Sequence, residues 1–180
     1  MDDSELVVRM KKGDVRAGNV LYERYRSRIY GYCAHILRDR ERAVDATQET
    51  FMRMFKGLDS LKSDEAFRPW LFAIARNTVF GLLKKSGEGI ELQESDAIDC
   101  ESPYDIVTGD QTRDVLEVLI LSLSPIHREV IQLREYDDLS YEEIAQVIGI
   151  PLSSVKARLL RARRALAARF RRNYGKDDVC

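Results

Sequence analysis

Glu41, Asp45 and Glu49 stand at i, i+4 and i+8, so on a helix their carboxylates line one face. A stripe of that kind can hold a metal ion for hydrolysis. No His follows at the Glu-x-x-His spacing of di-iron bundles, however, and His35 and His127, the only histidines, fit no ligand motif. No metal or cofactor is expected, and the stripe reads as a solvated face or a docking face for a basic partner. A second constellation is FRPWLFAIARNTVFGLLKK (Phe67 to Lys85), where Phe67, Trp70, Phe72 and Phe80 are interleaved with Arg68, Arg76, Asn77, Lys84 and Lys85. Aromatic rings beside cations and an amide suit unstacked, single-stranded bases. Several of the rings are equally expected to be ordinary core.

The third constellation is SYEEIAQVIGIPLSSVKARLLRARRALAARFRR (Ser140 to Arg172). Ser140 with Glu143 three residues on forms a capping box, which predicts a helix from about Tyr141 to Ile148 with Ile144, Ala145 and Ile148 inward. Gly149 ends it in a left-handed turn, and Pro151 opens a second helix with Ser153 or Ser154 as cap. Val155, Leu159, Ala162 and Leu166 face inward there, and Ser154, Lys156, Ala157, Leu160, Arg161 and Arg164 face more nearly outward. From Lys156 to Lys176 there are nine Lys or Arg and no acid. That pattern matches a helix-turn-helix whose second helix enters the DNA major groove while its basic tail follows phosphates. A basic helix with an apolar face also occurs as a solvated surface helix, or one that binds a membrane or calmodulin. Capping box, Gly turn, Pro entry and basic second helix together favour DNA.

These groups need helices to position them, and the chain supplies little else. Its 180 residues, 44% apolar and 33% charged with four Pro, suit one ordinary domain or two small ones. The net charge of -1 hides an uneven distribution. Residues 1–85 carry 17 basic and 12 acidic side chains, residues 86–110 carry none and 8, and residues 111–180 carry 12 and 10. Residues 1–85 read as all-helical: a short helix near Ser4 to Lys12, a second from Val15 capped by Asp14, a third from about Glu41 to Lys56, and a fourth from Phe67 to Lys85. Val20, Leu21, Tyr25, Ile29, Cys33 and Ile36 form the inner stripe of the second. Val44, Phe51, Met52 and Phe55 are the apolar contacts of the third, and Trp70, Leu71, Ile74, Ala75, Val79 and Leu82 those of the fourth. Residues 86–110 read as a flexible acidic linker broken by Pro103, long enough that the flanking blocks need not touch. From Gln111 two more helices, the second entered at Pro125, complete a four-helix C-terminal block. Cys33, Cys100 and Cys180 are widely spaced and form no CxxC pair, which points to a reducing compartment. MDDSELVVRM is too short in apolar run for a signal peptide, and no segment approaches a membrane span, so a cytoplasmic protein with no membrane insertion is expected.

The assembly resembles the extracytoplasmic-function group of bacterial sigma factors over nearly the whole chain. DATQETFMRMF (Asp45 to Phe55) is similar to sigma region 2.2, FRPWLFAIARNTVFGLLKK to regions 2.3 and 2.4 with the W-L-x-x-I-A-x-N core intact, and LSPIHREVIQLREYDDLSYEEIAQVIGIPLSSVKARLLRARRAL to region 4. The resemblance implies an all-α protein of two small helical domains, region 2 over residues 1–85 and region 4 over residues 111–176. It implies a transcription initiation factor, not an enzyme, that binds core RNA polymerase and promoter DNA, and it brings in a partner common in the family, an anti-sigma factor. A monomer is expected in the absence of partners. By resemblance, Asp45, Gln48, Glu49 and Phe51 fall where region 2.2 docks on the polymerase clamp. Leu61, Asp64, Phe67, Arg76 and Asn77 fall at the minus-10 loop and pocket that hold a flipped base. Ser154, Lys156, Ala157, Arg158 and Arg161 fall on the helix that reads the minus-35 duplex, with Arg163 and Arg164 toward phosphate or solvent. Ala46 stands where the family usually has Leu, and Gly18 where a Phe is common. Lys156 and Ala157 are not fixed in the family, so the promoter sequence is not inherited from it. Two rivals remain at this point: a dimeric operator-binding regulator that never touches polymerase, and a metal-dependent hydrolase using Glu41, Asp45 and Glu49.

Overall fold

The computed structural model of the chain describes residues 1–87 and 111–174, so Cys100, Cys180 and nearly all of the expected linker lie outside the described residues. Within them the chain is helical, with no strand. The N-terminal block contains α1 (Asp3–Lys11), α2 (Val15–Leu37), α3 (Arg40–Gly57) and α4 (Phe67–Lys85), with two short 3-10 turns at Leu58–Ser60 and Asp64–Ala66. The C-terminal block contains α5 (Gln111–Leu121), α6 (Pro125–Ile131), which continues as one π-helical turn over Gln132–Tyr136, then α7 (Tyr141–Ile148) and α8 (Leu152–Tyr174).

The boundaries follow local chemistry. Asp2 and Glu5 form a capping box on α1, Asp14 accepts the amides of Arg16 and Ala17 to start α2, and Asp39 accepts the Arg42 amide to start α3. Ser140 and Glu143 close the expected capping box on α7, and Gly149 ends it at φ 76°. The Pro151 carbonyl accepts the amides of Ser154 and Val155, so α8 starts a residue ahead of Ser153, and the serines lie in its first turn instead of capping it.

Leu21, Tyr25, Ile29, Cys33 and Ile36 of α2 are buried as the spacing predicts, but Val20 is 45% exposed. The larger correction concerns α3. Its buried residues are Ala43, Ala46, Thr50, Phe51 and Met54, while Val44, Met52 and Phe55, expected with Phe51 as its apolar contacts, are each about half exposed. Small residues let α3 lie close against α2, and Thr50 satisfies its hydroxyl on the Ala46 carbonyl at 2.7 Å. The three large side chains lie off that stripe, with the Phe55 ring beside Gly18 of α2.

The two blocks pack on one another and share one continuous apolar core. α7 lies against α4, and α6 against α2. The 3% exposed Arg128 of α6 donates to the carbonyls of His35 (2.7 Å) and Ile36 (3.3 Å), satisfying the C-terminus of α2 from the other block. At the base of the π-helical turn Asp137 is 2% exposed and accepts from Gln132 Nε2 at 3.1 Å. Burial raises its pKa to about 7, against the opposing pull of Gln132, Arg28 and Arg68. A carboxyl with a raised folded-state pKa binds protons more tightly folded than unfolded. Its contribution is therefore most favourable below its unfolded value and is lost as pH rises through its folded value. Stability is expected to fall by about 2–4 kcal/mol between pH 4 and pH 7 on its account. Asp137→Asn should flatten that slope in urea titrations run at the two pH values.

Candidate functional site

On α3 the structure spreads the expected docking residues over two environments. Asp45 and Gln48 are exposed, and Glu49 is half-buried and accepts Arg53 Nε at 2.7 Å. Phe51 is 3% exposed and meets Tyr22 edge-on at 4.8 Å between centroids, so it supports the face from beneath and presents no ring to a partner. What the sequence reading missed is the apolar content of this face. Val44, Met52 and Phe55 recur at helical spacing beside the carboxylates and stand exposed. The signal was present as large apolar residues off the small-residue stripe. Among the described residues no cluster of three or more His, Cys, Asp or Glu is placed to hold a metal ion.

Gly18 lies beneath this surface. A Cβ built there would stand 3.0 Å from Phe55 Cε1 and 3.1 Å from Met10 Sδ, so the Phe55 ring and Met10 already fill the space that a larger residue at position 18 would claim.

The residues expected to hold a melted base divide between two sites. Leu61 lines a cavity of about 330 Å³ with Lys62, Ser63, Trp70, Ala73 and Gln146. Leu61 itself is 5% exposed, and Phe67 is fully buried against Tyr25, so both shape the loop from inside. Asp64 is partly exposed and bound to Lys11, whose Nζ lies 2.6 Å from its carboxylate and 3.1 Å from the Leu61 carbonyl. That contact ties the 58–66 loop to α1 and was not visible in the sequence. Asn77 is elsewhere: it shares an open groove of about 520 Å³ with Asp45, Glu49 and Arg53, on the α3 side of α4. Arg76 lies over the Phe80 ring at 4.6 Å and donates from Nε to Glu129 at 2.8 Å. Of the four rings on α4, Phe67 and Phe72 are core, and Trp70 and Phe80 are partly buried.

On α8 the inward stripe Val155, Leu159 and Ala162 is buried as expected. Lys156 and Ala157 are exposed, together with Ser153, Leu160 and Arg164. Ser154, Arg158 and Arg161 are half-buried at the border of this face. Arg163 pairs with Glu135 at 2.6 Å, away from the outward stripe. No described helix is long and apolar enough to cross a membrane.

Residues 21–88 match the family description Sigma-70 region 2, and residues 113–166 match Sigma-70, region 4. The chain is 33% identical to the ECF RNA polymerase sigma-E factor of Salmonella typhimurium, over 92% of this chain and 93% of that protein. It is 34% identical to the RNA polymerase sigma-H factor of Pseudomonas aeruginosa, over 91% of each. Among solved structures it is similar to CnrH in complex with the cytosolic domain of CnrY, at TM-score 0.72 and 25% identity over 95% of this chain and 98% of that one. It is also similar to the sigma factor RpoE of Bartonella quintana in complex with the anti-sigma factor NepR, at TM-score 0.67 and 25% identity over 86% of this chain and 97% of that one.

Proposed function

From the premise that the chain belongs to the sigma-70 family, in its extracytoplasmic-function group, we propose a division of labour among its helices. The protein is a transcription initiation factor that binds core RNA polymerase and directs it to promoters. The observation that carries this is the presence of both region 2 and region 4, in order, in a chain that matches such factors over nearly its whole length. Our reading places region 2 at residues 1–85 and region 4 at residues 111–176. It assigns polymerase docking to Asp45, Gln48 and Glu49 with Val44, Met52 and Phe55 beside them. A mixed face of carboxylates around exposed apolar side chains supports this, because apolar contact supplies affinity while charge fixes register. Phe51 keeps a supporting part beneath it.

The 58–66 loop and the Trp70 cavity take a base of the melted minus-10 strand, with Leu61, Asp64 and Phe67 shaping the loop and Arg76 and Asn77 contacting the strand. α8 reads the minus-35 duplex through Lys156 and Ala157, with Ser154, Arg158 and Arg161 at the groove edge. The protein works in the cytoplasm, without a chemical step of its own. It is held in check by an anti-sigma factor, the class of partner named for the similar Bartonella protein.

Run-off transcription with core polymerase on a pool of genomic promoter fragments tests the whole reading. A discrete set of start sites is expected; tight duplex binding that never redirects polymerase would favour a stand-alone operator-binding regulator. Two variants refine it. Lys156→Ala should cost about 1–3 kcal/mol at cognate promoters and relax preference at one base position. Arg171→Ala, in the exposed basic last turn of α8, should weaken all promoters alike and reduce the salt dependence by about one unit of slope. Lys11→Met frees the 58–66 loop from α1. It should slow promoter opening about three- to tenfold, read by permanganate reactivity of melted thymines, while unfolding moves by less than about 1 kcal/mol because the pair is partly exposed.

A further inference from the structure

We propose that Glu129 and Glu143 are an internal latch that closes region 4 over α4 and keeps the α4 arginines from nucleic acid until the two regions part. The inference rests on the reading of α4 as a DNA-facing helix. Glu129, on α6, is fully buried, and its Oε1 accepts from Arg76 Nε at 2.8 Å and from Tyr32 Oη at 2.9 Å. Glu143, on α7, takes a two-pronged contact from Arg68, Nε to Oε1 at 3.1 Å and Nη2 to Oε2 at 2.7 Å. The same Glu143 carboxylate closes the α7 capping box on the Ser140 amide at 2.7 Å, so it is held in place for the incoming guanidinium. Arg68 Nη2 also donates to the Asp138 carbonyl at 2.9 Å.

Carboxylate and phosphate present the same planar, two-oxygen edge to a guanidinium. Glu143 therefore holds Arg68 in the manner of a phosphate, Glu129 takes Arg76 through one oxygen, and both arginines belong to the helix that carries Trp70 and Asn77. Gln146 of α7 forms a wall of the Leu61–Trp70 cavity, so the closed packing sets region 4 at the side of that cavity. Arg158 of α8 lies near enough to Glu129 to favour its charged form. One buried carboxylate thus faces cations from both DNA-reading helices.

The latch is built to open. Burial raises the pKa of Glu129 against the pull of Arg76 and Tyr32, and its Oε2 has no hydrogen-bond partner. Hydration regained on opening offsets much of the lost attraction, as is general for buried ion pairs. An outside polyanion then competes for Arg68 and Arg76 on nearly equal terms.

The test has two readouts on the full chain. The first is the rate of intramolecular cross-linking between Ala73→Cys and Gln146→Cys, which line the same cavity, by a short bis-methanethiosulfonate, with Cys100→Ser and Cys180→Ser in place. Cys33 is buried, and burial pushes its pKa up to about 12, so it does not compete. The second is affinity for a fluorescent random-sequence single-stranded DNA 20-mer. Glu129→Gln with Glu143→Gln keeps shape and the capping box, since Gln serves there too. Glu117→Gln with Glu142→Gln makes the same charge change at exposed positions.

The latch pair should slow cross-linking about tenfold and bind DNA about tenfold more tightly than the exposed pair, as for a binding state that rises from a minor to a major population. Equal cross-linking rates overturn the latch. Slower cross-linking with DNA affinity equal to that of the exposed pair overturns the masking, whereas the DNA reading of α4 on which it rests stands or falls with the run-off experiment.

Discussion

Asp45→Arg is expected to lower promoter-directed run-off transcription about a hundredfold, about 2.8 kcal/mol, while thermal unfolding moves by no more than about 0.5 kcal/mol. Asp45 is exposed on α3 between Glu41 and Glu49, and the folded chain does not depend on it for packing. A docking face that meets a basic partner does depend on it. Reversal removes one attraction and adds a repulsion at the same contact, which is why the loss exceeds that of a simple truncation. The measurement is run-off yield against factor concentration at fixed core polymerase, paired with a thermal melt of each protein. Wild-type yield from Asp45→Arg would move the docking face off α3.

Phe67→Ala should be the most damaging change to stability, about 3–5 kcal/mol, a large share of the about 5–15 kcal/mol that a domain has in total. Phe67 is fully buried at the head of α4, edge-on to Tyr25 at 5.7 Å and 6.1 Å from the Trp70 ring. A residue that only touched DNA would leave the urea midpoint alone and change promoter preference. Phe67 is expected to do the reverse, with the midpoint falling sharply and any remaining activity keeping the wild-type ranking of promoters. An unchanged midpoint with altered ranking would restore it to direct contact.

The helix boundaries were legible because their signals are local. Asp14, the Ser140 and Glu143 box, Gly149 and Pro125 each act on amides or dihedrals within a few residues, and the helices begin and end beside them. The inward face of α8 was legible for a related reason: Val155, Leu159 and Ala162, apolar at helical spacing, are buried, although Leu160 and Phe170 stand exposed. On α3 that equation failed. Ala43, Ala46 and Thr50 are core because they are small enough for close helix contact, while the larger Val44, Met52 and Phe55 stand about half exposed. Hydropathy alone cannot separate a face made for the core from one made for a partner. The joining of the two blocks was not legible at all. Arg76 and Glu129 are 53 positions apart, and Arg68 and Glu143 are 75 apart, with no periodicity to connect them.

The crowding around Gly18 makes the side chains of two helices answer to one space. Phe55 comes from α3, yet its ring stands 3.0 Å from where a Cβ at position 18 of α2 would be. Positions 18 and 55 should therefore vary as a pair across descendants of this lineage. Placing a bulky residue at position 18 would displace the Phe55 ring unless position 55 shrank in the same step.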